Sequence, residues 1–234
     1  EKAMMLRFHT QTGGSTLTAQ QPLNNISRVT LQTLSAVLGG TQSLHTNGYD
    51  EALSLPTEEA ATIALRTQQI VAFESGAPDT VDPLAGSYFI ESLTCEVEKA
   101  AWQLINKIDI LGGSVSAIEQ GFIQNEIAAS AYSYQTKVEN GEQIIVGVNK
   151  FQLEETHQVP LFKIDSSIQK TQTLKLKTLI QKRDNTKAAV CLVHIKECAQ
   201  SNRNLMPAVI NAVENYCTLG EVADTLRSVF GEYK

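Results

Sequence analysis

Two polar segments near the start of the chain carry the residue types that could bind a ligand. The first spans Arg7–Pro22 and contains His9 and Gln11, and the second spans Gly39–Asn47 and is followed closely by Glu51. Their imidazole, amide, hydroxyl and carboxylate groups donate and accept hydrogen bonds. Polar groups beside an apolar strand cost free energy unless they have partners, so we expect a ligand or another part of the protein to lie against them.

The first segment begins as a predicted strand over residues 3–12, in which apolar and polar side chains alternate. A period of two places His9 and Gln11 on the same face of that strand. Gly13 and Gly14 then end it and allow the backbone to come close to whatever lies above. Neither glycine belongs to a phosphate-binding loop, because the chain has no Gly-x-x-x-x-Gly-Lys or Gly-x-Gly-x-x-Gly pattern.

The next elements repeat this arrangement. Hydrophobic periodicity predicts a helix over residues 22–38, a second strand over 41–46 and a helix over 57–74 that begins at a threonine cap. Strand–helix–strand–helix with short connections indicates a parallel α/β unit. Working residues in such units lie at the C-terminal ends of the strands, which here are His9–Gly14 and Gln42–Glu51.

The pattern changes after about residue 86, which divides the chain into a predicted α/β part (1–86) and a mainly helical part (87–234). The helical part contains these predicted segments: helices over 93–111 and 123–139, a strand-like run at 144–148, an extended connector over 154–167, and further helices to the end, the last beginning at the capping box Thr218-Leu-Gly-Glu221.

Composition limits the class of protein. With 234 residues, of which 42% are hydrophobic, the chain suits one or two domains. The net charge of −6 argues against a nucleic-acid partner, and the apolar runs are too short for a membrane span. No signal-peptide pattern opens the chain, so we expect a cytoplasmic protein, and its abrupt start leads us to expect a fragment of a longer one.

The four cysteines, at positions 95, 191, 198 and 217, form no Cys-x-x-Cys pair. We therefore expect neither a zinc site nor a redox site, and no other metal site is predicted. Buried thiols in a reducing cytoplasm are the expectation instead, with Cys191 and Cys198 on one face of a helix.

Spacing alone leaves the role of the polar residues open. His9 and Gln11 suit ligand-facing donors at a strand end, and they equally suit an internal polar network without a substrate. Period two does not decide whether the face of the second strand that bears His45 or the opposite face would meet a ligand. Glu51 suits either hydroxyl binding or a solvated position in a loop.

Longer runs of residues carry a resemblance to a known family. The matching residues, in order, include Arg7-Phe-His-Thr-Gln-Thr-Gly-Gly14, Gln21-Pro22, Asn24-Asn25, Gly39-Gly-Thr-Gln-Ser-Leu-His-Thr-Asn47, Asp50-Glu-Ala-Leu53, Leu55-Pro-Thr57, Gly112-Gly113 and Gly147-Val-Asn-Lys150. With them the chain resembles the large subunits of adenosylcobalamin-dependent acyl-CoA mutases, the methylmalonyl-CoA mutase family. The likeness runs through nearly the whole chain and weakens after about residue 165.

The resemblance implies an α/β fold: the last two strand–helix units of a TIM (β/α)8 barrel, followed by a mainly α-helical extension. It implies that adenosylcobalamin and an acyl-CoA substrate bind at the barrel. The cobalamin motif Asp-x-His-x-x-Gly is not in this chain, so the implied partners include a cobalamin-binding domain or small subunit. A dimer with a second mutase chain is also implied, and the resemblance admits a chaperone GTPase as a partner.

The resemblance assigns ligand-binding roles to eight residues and a catalytic or metal-binding role to none. They are His9, Gln11, Gln42 and Ser43 for the substrate, and Gly14, Asn47, Glu51 and Ser54 for the cofactor. Asn47 and Glu51 match the positions that bind the adenosyl ribose, and a carboxylate that accepts hydroxyl hydrogen bonds is suited to that role.

The implied activity is an isomerisation, in which a radical mechanism rearranges the carbon skeleton of an acyl-CoA. We expect (R)-methylmalonyl-CoA to be converted to succinyl-CoA. Ser15 stands where many methylmalonyl-CoA mutases have tryptophan, and the sequence Gly-Gly-Ser-Thr resembles the branch with isobutyryl-CoA and 2-hydroxyisobutyryl-CoA mutases. The alternatives are therefore one of those activities, or a non-catalytic scaffold that only binds a partner chain.

Overall fold

The computed structural model describes residues 5–154, 160–201 and 203–232. Its N-terminal part contains two short strands, each followed by a helix: strand β1 is His9–Gln11, helix α1 is Asn24–Leu38, strand β2 is Ser43–His45 and helix α2 is Glu58–Glu74. The strands are hydrogen-bonded in parallel. The predicted strand–helix–strand–helix unit is thereby confirmed, and the chain is a mainly helical α/β structure with a small parallel sheet.

Both strands are shorter than the sequence predicts. The strand predicted over residues 3–12 begins at His9 in the described part of the chain, which excludes residues 3 and 4, and the strand predicted over 41–46 is limited to Ser43–His45. The reason is that a strand extends only where a neighbour satisfies its backbone groups. In this two-stranded sheet each strand is paired along one edge.

The alternation of faces along β1 agrees with the prediction. His9 and Gln11 are exposed, whereas Thr12, directly after the strand, is buried on the opposite side. His9 lies opposite Ser43 and Gln11 lies opposite His45 across the sheet. The exposed face of the sheet therefore carries polar side chains from both strands next to one another.

Helices α1 and α2 pack against each other. Val29 and Thr33 of α1 and Ala60 and Ala64 of α2 are buried. The distance between packed helices depends on the side chains at the contact, so the small side chains of Ala60 and Ala64 allow α1 and α2 to lie close together. The hydroxyl of Thr33 donates to the carbonyl oxygen of Val29 at 2.7 Å, so this buried polar group has a partner.

Helix α2 begins at the predicted threonine cap. The Thr57 hydroxyl accepts a hydrogen bond from the backbone N–H of Ala60 at 3.2 Å, and Glu58 and Glu59 occupy the first turn, where the helix dipole favours negative charge. The backbone N–H of Thr57 donates in turn to Oδ2 of Asp50 at 2.9 Å. The cap thus joins the helix to the loop that precedes it.

We expect Thr57→Ala to lower the free energy of unfolding by about 1 kcal/mol, because the N–H of Ala60 loses its acceptor. The backbone bond to Asp50 does not depend on the side chain and stays. Urea-dependent hydrogen exchange of α2 in the full-length protein measures the change. Thr57→Ser keeps the hydroxyl and is the control, and an equal loss in both variants would contradict the role of the cap.

Helices continue after α2: α3 is Tyr88–Ile110, α4 is Ser114–Glu119 and α5 is Phe122–Glu139. The helices predicted over 93–111 and 123–139 are confirmed, although α3 begins earlier, after Ser87. No residue of α3 or α5 is buried in the described part of this chain.

The strand-like run predicted at 144–148 is wrong. Within the described residues this stretch forms only one isolated bridge, between Val146 and Lys150. The cause is Asn149: its Oδ1 accepts from the N–H of Ile145 at 2.7 Å, and its Nδ2 donates to the carbonyl oxygen of Val138 at 2.8 Å, which folds the segment back as a turn. Of the connector predicted over 154–167, residues 155–159 lie outside the described residues.

Contacts divide the chain into two compact units, Glu1–Phe162 and Lys163–Lys234. Strand β2 and helix α2 end before residue 86, and the predicted division of the chain at that residue stays a prediction. The second unit contains four helices in its described part: α6 is Ser166–Lys182, α7 is Asn185–Ala199, α8 is Met206–Glu214 and α9 is Leu219–Phe230.

The core of the second unit lies between α7, α8 and α9, and Ile195 and Ala212 are completely buried there. Cys191, Cys198 and Cys217 belong to this core, as predicted. Cys95 is exposed, contrary to prediction, because it lies on α3, which buries none of its residues. No helix in the described ranges is long and apolar enough to cross a membrane.

An ion pair joins the start of α7 to the start of α9. Arg183, whose side chain is only 7% exposed, donates from Nη1 to Oε2 of Glu221 at 2.6 Å and from Nη2 to Oε1 at 2.5 Å. Nη1 also donates to the carbonyl oxygen of Tyr216. Glu221 and Thr218 form the predicted capping box, with each side chain accepting from the other residue's backbone N–H.

Candidate functional site

The candidate site is built from the exposed face of the sheet and the loops that follow the two strands. We call residues 12–23, after β1, the first loop, and residues 46–57, after β2, the second loop. Because the strands are parallel, both loops leave the same edge of the sheet. Seven of the eight predicted site residues lie on this face or in these loops, and Gln42 lies at the other end of β2.

Two pairs of side chains connect β1 to β2 and to the second loop. Nδ1 of His9 and Oγ of Ser43 lie 2.8 Å apart, within hydrogen-bonding distance. Nε2 of Gln11 donates to Oδ1 of Asn47 at 3.0 Å. These two pairs, which we call the rungs, show that four of the predicted site residues contact one another, as strand-end residues on one face should.

Asn47 is fixed in orientation by its neighbours. It is 3% exposed, its backbone N–H donates to the Thr12 hydroxyl at 3.0 Å, and its Nδ2 donates to the Thr12 carbonyl oxygen at 3.1 Å. With Oδ1 accepting from Gln11, the bonds within the described residues use one of the two N–H groups of the carboxamide. The second N–H can serve a ligand.

Gly14 lies directly against the second loop. A Cβ atom at this position would be 2.9 Å from Nδ2 of Asn47, 3.5 Å from Cγ of Glu51 and 3.6 Å from its Oε1. Three residues predicted to bind the cofactor, Gly14, Asn47 and Glu51, therefore meet at one place, which we call the loop-end cluster. Asn47 is buried there, whereas the Glu51 side chain is exposed and can accept hydrogen bonds.

A compact turn holds Glu51 in place. The carbonyl oxygen of Asp50 accepts from the N–H groups of Leu53 at 2.8 Å and Ser54 at 3.0 Å, and the Asp50 side chain is completely buried. Burial, the negative charge of Glu59 and that of Asp50 together raise the pKa of the neighbouring Tyr49 above its usual range. Tyr49 therefore stays a neutral phenol at physiological pH.

Two of the predicted site residues, Gln42 and Ser54, belong neither to the rungs nor to the loop-end cluster. Gln42 precedes β2, so it lies at the start of that strand and not at its C-terminal end as predicted, and its Oε1 accepts from the backbone N–H of Phe8 at 3.2 Å. The difference follows from the direction of β2, which runs from Ser43 to His45. The Ser54 hydroxyl donates to the carbonyl oxygen of Leu55 at 2.8 Å, at the end of the turn.

A cavity of about 780 Å³ is lined in part by the first loop. Its lining includes Ser15 and Leu17 of that loop, Leu31 of α1 and Val146, and Nη2 of Arg28, another lining residue, donates to the carbonyl oxygen of Val146 at 2.7 Å. Within the described residues its lining includes none of the eight predicted site residues. It lies beside the site and is mostly apolar.

Asn25 and Arg28 are the residues of this region that the sequence analysis missed. Asn25 is completely buried and links both loops through hydrogen bonds. A signal was present in the sequence: Asn25, Val29 and Thr33 are spaced by four, so they share the buried face of α1. A polar residue on an apolar stripe requires partners.

The chain matches a known protein family along nearly its whole length. The family model described as methylmalonyl-CoA mutase matches residues 1–232. The chain belongs to the methylmalonyl-CoA mutase family. The resemblance stated from the sequence is thereby confirmed, and it extends over the C-terminal helices, where the motifs themselves are weaker.

The members of the methylmalonyl-CoA mutase family that this chain is similar to include methylmalonyl-CoA mutases and the large subunit of a 2-hydroxyisobutanoyl-CoA mutase. The chain is 45% identical over 235 residues to the human mitochondrial methylmalonyl-CoA mutase and 43% identical over 237 residues to that of Rhizobium meliloti (strain 1021). It is 41% identical over 235 residues to the 2-hydroxyisobutanoyl-CoA mutase large subunit of Aquincola tertiaricarbonis. All of this chain is covered, but it spans only 31%, 33% and 42% of those relatives.

Proposed function

We propose that this chain is part of an isomerase that rearranges the carbon skeleton of an acyl-CoA by a radical mechanism, with adenosylcobalamin as its cofactor. The observation that supports this most is the loop-end cluster. There Gly14, the oriented carboxamide of Asn47 and the exposed carboxylate of Glu51 come together. The proposed reaction is the conversion of (R)-methylmalonyl-CoA to succinyl-CoA.

The loop-end cluster fits the nucleoside part of the cofactor. The N–H of Asn47 that has no hydrogen bond among the described residues can donate to a ribose oxygen, and the carboxylate of Glu51 can accept from ribose hydroxyls in charge-assisted hydrogen bonds. Gly14 allows Asn47 and Glu51 to lie close against the first loop, since a Cβ atom there would be 2.9 Å from Nδ2 of Asn47. When bound, adenosylcobalamin supplies the radical chemistry, and the protein supplies binding and orientation.

The rungs fit a role in substrate binding. His9, Gln11 and Ser43 are exposed on the same face of the sheet, and their mutual hydrogen bonds restrict the rotamers that they can adopt. Side chains held in this way can orient the polar carbonyl groups of an acyl-CoA without a large loss of entropy on binding. We assign them, with Gln42, to the substrate.

We further propose that β1 and β2 belong to a TIM (β/α)8 barrel. Their order, the parallel pairing and the helix after each strand support this, and a sheet of only two strands has an open edge on each side that further strands would close. A cobalamin-binding domain or small subunit, a second mutase chain and a chaperone GTPase are the proposed partners. The cytoplasm is the proposed location.

The test is turnover by the full-length protein with its cobalamin-binding part. We expect methylmalonyl-CoA and adenosylcobalamin together to give succinyl-CoA, detected by liquid chromatography, and omission of the cofactor to abolish it. Isobutyryl-CoA and 2-hydroxyisobutyryl-CoA are assayed in parallel, because the identities of 41–45% to two kinds of mutase are similar. No turnover of any of the three would overturn the enzymatic proposal and favour a scaffold.

Glu51→Ala is expected to weaken adenosylcobalamin binding by about tenfold or more, because hydrogen bonds to a charged group are lost. The affinity is measured by titrating the full-length protein with the cofactor and recording absorbance. Glu74→Ala is the matched control, since Glu74 is an exposed glutamate at the far end of α2. An unchanged affinity in Glu51→Ala would remove Glu51 from the cofactor site.

A further inference from the structure

One buried carboxamide joins the two loops that carry the candidate site. Asn25, in the first turn of α1, is completely buried. Its Nδ2 donates to the carbonyl oxygen of Thr18, in the first loop, at 2.8 Å, and to the carbonyl oxygen of Tyr49, in the second loop, also at 2.8 Å. No other residue type of this size has two donors that can reach two carbonyl oxygens in this way.

The other side of the same carboxamide is equally occupied. Oδ1 of Asn25 accepts from the backbone N–H of Thr18 at 3.1 Å and from Nη1 of Arg28 at 2.7 Å. All four hydrogen-bonding positions of the group are therefore used. Because Arg28 offers only donors, it fixes which end of the carboxamide is oxygen, and the donors must then point to the two loops.

These bonds set the position of the loop-end cluster. Thr18 follows Gly14 by four residues in the first loop, and Tyr49 lies between Asn47 and Glu51 in the second. The gap between Gly14 and Asn47 has no spare room, since even a methyl group at Gly14 would be 2.9 Å from Nδ2. The Asn25 carboxamide holds Thr18 and Tyr49 at a constant separation. It therefore also fixes the distance between Gly14 in the first loop and Asn47 and Glu51 in the second.

We propose that Asn25 is a positioning residue for the cofactor-binding loops, and this inference rests on the proposed function for its ligand. In the described part of the chain, Asn25 has no hydrogen bond to His9, Gln11, Gln42 or Ser43, the residues that we assign to the substrate. Its loss should therefore affect cofactor binding more than acyl-CoA binding. A residue that only stabilised the fold would weaken both alike.

The experiment compares Asn25→Asp with Asn24→Asp in the full-length protein with its cobalamin-binding part. Aspartate has the shape of asparagine but no N–H donors, so at position 25 it sets a carboxylate against two carbonyl oxygens. Asn24 donates to Oε1 of Gln21 within the first loop and, among the described residues, has no side-chain hydrogen bond to the second loop, which makes the same change there a matched control. Asn25→Ala removes the carboxamide without adding a charge and serves as the second variant.

Two readouts are recorded for each variant. Hydrogen-exchange mass spectrometry without any ligand follows peptides from residues 46–57 and from α7, and kinetic assays give the cofactor Kd and the KM for acyl-CoA. We expect both Asn25 variants to exchange about tenfold faster in residues 46–57 and to raise the cofactor Kd about tenfold, with exchange in α7 and the KM within about twofold of the wild type. Asn24→Asp should change none of these quantities.

The proposal is overturned if both Asn25 variants leave exchange in residues 46–57 unchanged. It is also overturned if they raise Kd and KM together, or if both unfold throughout, since these results describe a purely structural role. Failure of the proposed function has a different signature: the wild-type protein itself would not bind adenosylcobalamin, while the ligand-free exchange data would still decide whether Asn25 orders the second loop.

Discussion

Gly14→Ala is expected to lower the affinity for adenosylcobalamin by about tenfold or more, whereas Gly13→Ala should leave it within about twofold. The two glycines are adjacent, yet a Cβ atom meets different surroundings at each. At Gly13 the nearest atoms would be 3.8 Å away, an ordinary contact distance. At Gly14, Nδ2 of Asn47 would be 2.9 Å away, so a neighbour must move.

Asn47 has little freedom to move aside. Its backbone N–H and its Nδ2 are both bound to Thr12, and its Oδ1 accepts from Gln11. A methyl group at Gly14 must therefore break one of these bonds or push the first loop away from the second. Overpacking of this kind costs about 1–3 kcal/mol in well-packed regions, and it falls on residues that we assign to the cofactor.

Cofactor titration of the wild type and both alanine variants measures the effect. The backbone at Gly13 is in the extended region, so alanine is tolerated there without strain. Both variants lose the backbone flexibility of a glycine, but only Gly14→Ala also loses space, so comparing them separates the two effects. Equal affinities for all three proteins would show that the loop-end cluster is not in contact with the cofactor.

Glu221→Gln is expected to destabilise the second unit at neutral pH by about 1–2 kcal/mol and to reduce its sensitivity to acid. The reason is the bidentate pair with Arg183, which is nearly buried and would be left with a neutral partner. Hydrogen bonds from Arg183 and from Thr218 lower the pKa of Glu221 from 4.5 to about 2, against a smaller opposing effect of burial.

The direction of the pH dependence follows from that lowered pKa. The unfolded chain binds a proton at Glu221 near pH 4.5, whereas the folded unit resists protonation until about pH 2. The stabilisation is therefore complete above pH 4.5 and is lost as the pH falls toward 2. Glutamine does not titrate, so the variant and the wild type should become similar in stability near pH 2.

Urea-dependent hydrogen exchange of α7 and α9, recorded at neutral pH and at about pH 3 in the full-length protein, measures both effects. Glu214→Gln is the control, because Glu214 is an exposed glutamate at the end of α8 and the same charge is removed. A loss of stability in Glu221→Gln that is as large at about pH 3 as at neutral pH would contradict the assignment of the ion pair.

Local signals were sufficient for several features. The threonine cap at Thr57 and the capping box at Thr218–Glu221 depend on residues within one turn, and both are present. The face that carries His9 and Gln11 follows from the period of a strand alone. The motifs that carry the resemblance were sufficient to group Gly14 with Asn47 and Glu51, although no local rule brings them together.

Features that depend on distant partners could not be predicted. The pairing of Arg183 with Glu221 joins residues 38 positions apart, and nothing near either residue indicates the other. The run at 144–148 has the composition of a strand, but the Asn149 side chain accepts from the N–H of Ile145 and donates to the carbonyl oxygen of Val138, which folds the run into a turn. The role of Asn25 needed the carbonyl oxygens of two separate loops, whose positions only the folded chain defines.

The rungs have a consequence for how this surface can change in evolution. Each joins a residue of β1 to a residue of β2 or of the second loop, His9 with Ser43 and Gln11 with Asn47. A substitution at one end leaves the group at the other end without its partner, so a compensating substitution is favoured there. We expect the two positions of each rung to covary among homologues, and a designer who alters this surface should exchange them as pairs.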